Sequence, residues 1–125
     1  MITGWVSSNL EATIRLTLQG PRGEEQAIEA VIDTGFSGFL TLPPDLVEAL
    51  GLRFLKRGQA VLGDGSTVIF NTYEATILWD GHPRRISVDA AETDPLLGMG
   101  LLFGCELTMV VVEGGDTIIR PLPLA

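Results

Sequence analysis

The chain is expected to fold as one mainly β domain with one or two short helices, closed into a small barrel. Three observations predict this: apolar residues repeat with a period of two, turn residues punctuate the chain at short intervals, and no segment shows long helical periodicity. At 125 residues the chain has the length of one domain, 1–125, with one core. The succession of short strands favours a closed β arrangement over a βαβ array.

From Ala12 to Leu18, the residues Ala12, Ile14, Leu16 and Leu18 alternate with Thr13, Arg15 and Thr17, the pattern of a half-buried strand. Gly20 to Gly23 reads as a turn, and Ala27 to Ile32 as a second strand that delivers Asp33 to a loop. After Phe39 to Leu42, a short apolar run, Pro43 and Pro44 precede a helix over Asp45 to Leu50, with Gly51 placed to stop it. Gln59 to Leu62 and Thr67 to Leu78 flank Gly63, Asp64, Gly65 and Ser66, the tip of a long hairpin. Asp80-Gly81 accepts the positive φ angles of a tight turn, with Ile86 to Val88 returning. Met99 to Phe103 fits one helical turn. Leu107 to Val112 and Thr117 to Leu122 form a last hairpin.

Composition narrows the function. The formal net charge is -8, which would repel phosphate backbones, so no nucleic-acid partner is expected. No apolar run approaches the roughly 20 residues of a membrane-crossing helix, so no membrane partner is expected either. Met1 to Leu10 lacks the basic start and apolar run of a secretory signal, and Cys105 has no second cysteine to pair with, which points to the cytoplasm. One histidine, His82, and one cysteine do not assemble a zinc site, and neither a metal nor another cofactor is expected. Ser37 has no oriented base, since His82 follows another hairpin turn. Gly98-Met99-Gly100 and Gly63-Asp64-Gly65 have the glycine spacing of phosphate loops but lack the lysine and long helix, so turns and packing explain them. Arg84 and Arg85, adjacent in a strand, point to opposite faces and make no patch. Trp5 and Trp79 are expected to cover core or interface surface.

One signal carries chemistry. Val31-Ile32-Asp33-Thr34-Gly35-Phe36-Ser37-Gly38 is an apolar strand running into an acidic loop of small residues, and it resembles the signature of the retropepsin-like (clan AA) aspartic proteases. Leu96-Leu97-Gly98 followed by Met99 to Phe103 is similar to the family's paired apolar residues, glycine and short helix. The hairpin centred on Asp64 lies between the two, where the family carries its flap. Asp33 to Pro43 is most similar to a single-domain prokaryotic group with an Asp-Thr-Gly-Phe motif.

The resemblance implies an acid-protease-type barrel with one domain per chain and a homodimer that forms the active site. Asp33, Thr34 and Gly35 would be catalytic, with Thr34 locking the two loops across the axis and Gly35 letting substrate approach the backbone. Phe36, Ser37, Gly63, Asp64, Gly65, Leu97 and Gly98 would contact substrate or its supports. Two carboxylates about 3 Å apart cannot both ionise cheaply, so one keeps its proton while the other activates water. The implied activity is aspartic-type endopeptidase cleavage of a peptide or protein. Known retropepsins usually carry alanine or serine at the position of Phe36, whose bulk could narrow the cleft. A dimeric peptide-binding or scaffolding module with the same fold is therefore the alternative. The apolar C-terminal strands are expected to pair between subunits, although enough chain follows Gly98 for a whole hairpin and the dimer sheet could be built differently.

Overall fold

The computed structural model describes residues 1–123. Ten strands and two short helices follow in order: β1 (Ile2–Val6), β2 (Ala12–Gln19), β3 (Glu25–Ile32), β4 (Leu40–Leu42), α1 (Pro44–Leu50), β5 (Arg53–Val61), β6 (Thr67–Trp79), β7 (His82–Ala90), β8 (Leu96–Leu97), α2 (Met99–Leu102), β9 (Cys105–Met109) and β10 (Asp116–Pro121). The mainly β, single-domain expectation holds.

Alternation sets which side of each strand is buried. In β2 the side chains of Ile14, Leu16 and Leu18 enter the core while Arg15 faces water. Ile77 of β6, Ile86 and Val88 of β7, and Leu97 of β8 meet them from the other strands, and Leu101 and Leu102 of α2 join the same cluster. All three residues of β4 are buried, as suits a short strand with neighbours on both edges. The α1 helix begins with Pro44 in its first turn and ends at Gly51, whose φ of 62° is the left-handed conformation glycine adopts most cheaply.

The strands are hydrogen-bonded in the order β5-β6-β7-β4-β8-β3-β2-β1-β10-β9, with an additional β6–β2 pairing. One edge of β2 is shared between two partners: Ala12 to Ile14 pair with β1, and Thr17 to Gln19 with β6. Its other edge carries the long antiparallel ladder to β3. The pairings β2–β3–β8–β4–β7–β6 thus return to β2, with β5 extending from β6, and β1, β10 and β9 extending from β2.

Three elements differ from expectation. β1 has no clear alternation, and Gly4 is its key residue: a Cβ there would collide with the Thr13 carbonyl oxygen, so only glycine lets β1 lie this close to β2. β5 starts at Arg53, well before Gln59, as an arm whose residues are nearly all exposed and therefore show no period of two. β9 ends at Met109 because Val110 to Gly115 turn away to meet β1, with Gly114 N–H donating to the Val6 carbonyl at 2.8 Å and Val6 N–H to the Gly115 carbonyl at 2.9 Å.

Within the C-terminal hairpin, one strand is already paired on both sides by its own chain. β10 lies between β1 and β9 of its own chain, so both its edges are filled. The strand order ends at β9 on one side and at β5 on the other, so the outer edge of β9 is the free edge of this hairpin.

Candidate active site

β3 and β4 are consecutive in the chain yet do not pair, because β8 lies between them: Val31 and Ile32 run parallel to Leu96 and Leu97, and Leu40 pairs antiparallel with Leu97. The segment from Asp33 to Phe39 must therefore arch over the end of β8. The chain leaving β8 passes beneath that arch into α2.

Four backbone hydrogen bonds stitch the crossing. Asp33 N–H donates to the Leu97 carbonyl (2.9 Å), Gly98 N–H to Phe39 (2.9 Å), Met99 N–H to Phe36 (2.7 Å) and Gly100 N–H to Gly38 (3.0 Å). The glycines are required by contact rather than by flexibility. A Cβ on Gly98 would collide with the Gly38 carbonyl oxygen and lie 2.7 Å from that of Phe36, and one on Gly100 would lie 2.9 Å from Gly38 O. The Phe36 ring is folded back over the same spot, 2.5 Å from where a Cβ on Gly38 would be. Gly38, Gly98 and Gly100 together make room for the crossing backbone and the ring.

The arch presents Asp33 half-buried, with Thr34, Gly35 and Ser37 exposed beside it. Its carboxylate is oriented locally: Oδ1 accepts the Gly35 N–H at 2.9 Å, and the Phe36 N–H closes the turn on the Asp33 carbonyl at 3.1 Å. One carboxylate oxygen is thus committed to the loop.

The structure gathers Asp33, Thr34, Gly35, Phe36, Ser37, Leu97 and Gly98 into this crossing, with Leu97 wholly buried as its floor. It holds Gly63, Asp64 and Gly65 apart, at the tip of the β5–β6 hairpin. A Cβ on Gly63 or Gly65 would meet nothing within 4 Å. Asp64 is engaged in its own turn, accepting the Ser66 hydroxyl at 2.6 Å and the Ser66 N–H at 2.9 Å. The hydroxyl first, then the N–H, hold its carboxyl below the ordinary aspartate range.

Two features escaped the sequence. The steric roles of Gly38 and Gly100 depend on a crossing between segments distant in the chain, and the paired glycines of Gly98-Met99-Gly100 were the only available hint. Asp89 of β7 was the other. It accepts a hydrogen bond from the Thr72 hydroxyl of β6 at 3.1 Å and stands opposite Thr41 of β4. Burial pushes its carboxyl above the usual range, against the opposing effects of that hydrogen bond and of Lys56. Asp89 also lines a mostly apolar cleft of about 480 Å³ between the tip-side end of β6, at Val68 to Phe70, and the Ala90 to Glu92 segment.

Among the described residues, no three His, Cys, Asp or Glu side chains come together as a metal-binding group, and no helix is long and apolar enough to cross a membrane.

An acidic loop arched over a parallel strand pair, beside a long exposed hairpin in a mainly β domain, places this chain in a recognisable class of fold. It is similar to the crystal structure of a retropepsin-like aspartic protease from Rickettsia conorii, with a TM-score of 0.60, 14% identity, and coverage of 98% of this chain and 91% of that one. At that identity the likeness shows the fold alone. No family model matches the sequence, and no curated protein matches it.

Proposed function

We propose that this protein is an aspartic endopeptidase whose active site forms when two copies of the chain bring their Asp33 loops face to face. The observation that carries this reading is the Asp33 carboxylate itself, oriented by the Gly35 N–H on a loop that the Leu97–Gly100 crossing holds in place. Fold similarity to a solved aspartic protease supports it.

The chemistry requires the pair. One chain supplies one Asp-Thr-Gly loop, and a lone carboxylate has no partner with which to divide acid and base work. With two carboxylates about 3 Å apart, the ionised one takes a proton from water as the oxygen attacks the scissile carbonyl. The protonated one donates to the carbonyl oxygen. When the tetrahedral intermediate collapses, the C–N bond breaks, the amine leaves protonated, and the products are a new carboxyl terminus and a new amino terminus. The shared proton makes titration a property of the dyad.

In this account Thr34 hydrogen-bonds across the axis, Gly35 and Ser37 contact substrate, and the hairpin tip at Gly63 to Gly65 closes over an extended peptide. The barrel of the acid-protease type, the cytoplasmic location and the absence of a cofactor belong to the same reading. Phe36, the residue that suggested a binding-only module, has a packing role against Gly38 and Gly98, so that alternative has no observation of its own.

The test is cleavage of a diverse peptide library across acidic to neutral pH, read as new termini by mass spectrometry. Asp33→Asn should fold and dimerise as the wild type does while its cleavage falls by a factor of roughly 10² or more. Equal cleavage by the two proteins would refute the assignment.

A further inference from the structure

The end of the domain away from the Asp33 arch carries an open cleft of about 500 Å³, with Ile2, Trp79, Pro83, Arg84, Cys105 and Ile119 in its walls. Strand register fixes its level. Trp5 pairs with Thr13, which pairs with Val31 two residues before Asp33, whereas Ile2 pairs with Ile119 at the other end of β1. Three residues of strand put the cleft roughly 10 Å below the level of Val31, at the foot of the arch.

α2 leads from the arch toward the cleft, its four residues rising about 6 Å. It leaves the arch at Met99, which is 47% exposed, and ends at Phe103, which is 88% exposed. Phe103 also stands beside the cleft: Cys105, two residues on, lines it, and Arg84 of its wall donates a long hydrogen bond to the Leu101 carbonyl at 3.5 Å. A bare aromatic ring next to an unfilled, largely apolar cleft is a knob beside a hole. Across a twofold axis, one surface bearing both is complementary to itself.

Charge favours the same face. Two copies at -8 each repel. Yet Met99-Gly-Leu-Leu-Phe-Gly-Cys105 contains no charged residue, and the cleft wall carries the Arg84 guanidinium, which an aromatic face attracts, together with Asp80, whose carboxylate is paired with the Met1 ammonium at 2.7 Å.

We propose that a second copy of this chain docks along α2, with the Phe103 ring of each protomer seated in the other's cleft. This rests on the two-loop reading above and names the surface that brings the loops together. The ridge from Met99 to Phe103 starts at the arch, so an axis along it carries one Asp33 loop toward the other. It also gives the dimer an interface that does not need β10, whose edges are already filled.

Sedimentation equilibrium on the wild type, Phe103→Asp and Phe103→Leu tests it, together with the rate at which a maleimide labels Cys105. The wild type and Phe103→Leu should be dimers with Cys105 shielded. Phe103→Asp should dissociate roughly 30-fold or more readily, and its Cys105 should label faster while its circular dichroism is unchanged. A Phe103→Asp protein that stays dimeric with Cys105 labelling at the wild-type rate would overturn the proposal, as would a wild type that is monomeric at tens of micromolar. Failure of the hydrolytic reading looks different: the dimer would still depend on Phe103, but no peptide cleavage would depend on Asp33.

Discussion

Asp33 was legible in the sequence because everything that defines it is local: an apolar strand, an acidic residue and small residues after it, all within Val31 to Gly38. That the Leu96 to Phe103 segment supports the loop came only from the resemblance, and why it needs glycines was not legible, since Gly98 and Gly100 act on Phe36 and Gly38 from a segment far along the chain. Composition shows glycines; only the crossing shows that two carbonyl oxygens occupy the space a methyl group would need. Gly98→Ala is therefore expected to destabilise the fold by about 1–3 kcal/mol or more, because two of the three obstructing atoms are backbone oxygens that cannot rotate aside. Urea unfolding measures it. A Gly98→Ala protein as stable as the wild type would mean that the crossing is looser than described.

Among elements, those with one face in water were readable and those without were not. β2 alternates cleanly and was expected nearly residue for residue. β5 is an exposed arm and β1 depends on Gly4 lying against Thr13, so neither offers a period to read. The β6–β7 ladder has a further property, the half-buried Asp89 held by the Thr72 hydroxyl. Its carboxyl is raised, chiefly by burial, so the folded chain holds this proton more tightly than the unfolded chain does. The stabilisation is complete below the ordinary aspartate range and is lost as pH rises through the raised folded value. Asp89→Asn keeps an acceptor for Thr72 and never ionises. Its stability relative to the wild type should grow as pH is raised from about 3 to about 6, in urea melts at successive pH values. A relative stability that falls over that window would contradict the assignment of burial as the main cause.

At the scale of the whole molecule, the fold presents one acidic loop per chain, while the proposed chemistry needs two carboxylates. That mismatch was visible from the length and the single Asp-Thr-Gly, but the meeting surface was not. The sequence suggested the C-terminal strands; of these, β10 has both edges filled within the chain and β9 keeps its outer edge open. Phe103 is exposed, and Cys105, two residues on, lines a cleft whose other walls, Ile2, Trp79 to Arg84 and Ile119, come from strands that only folding brings together.

Subunit mixing tests the central claim most directly. Wild type and Asp33→Asn are combined at equal concentration, allowed to exchange subunits, and assayed for peptide cleavage. If each active site needs Asp33 from both chains, random pairing leaves only the pure wild-type dimers working, and cleavage should fall to about one quarter of that of the same total of wild type. Cleavage at half, in proportion to the wild-type chains present, would mean that each chain works alone and that the paired-carboxylate account is wrong.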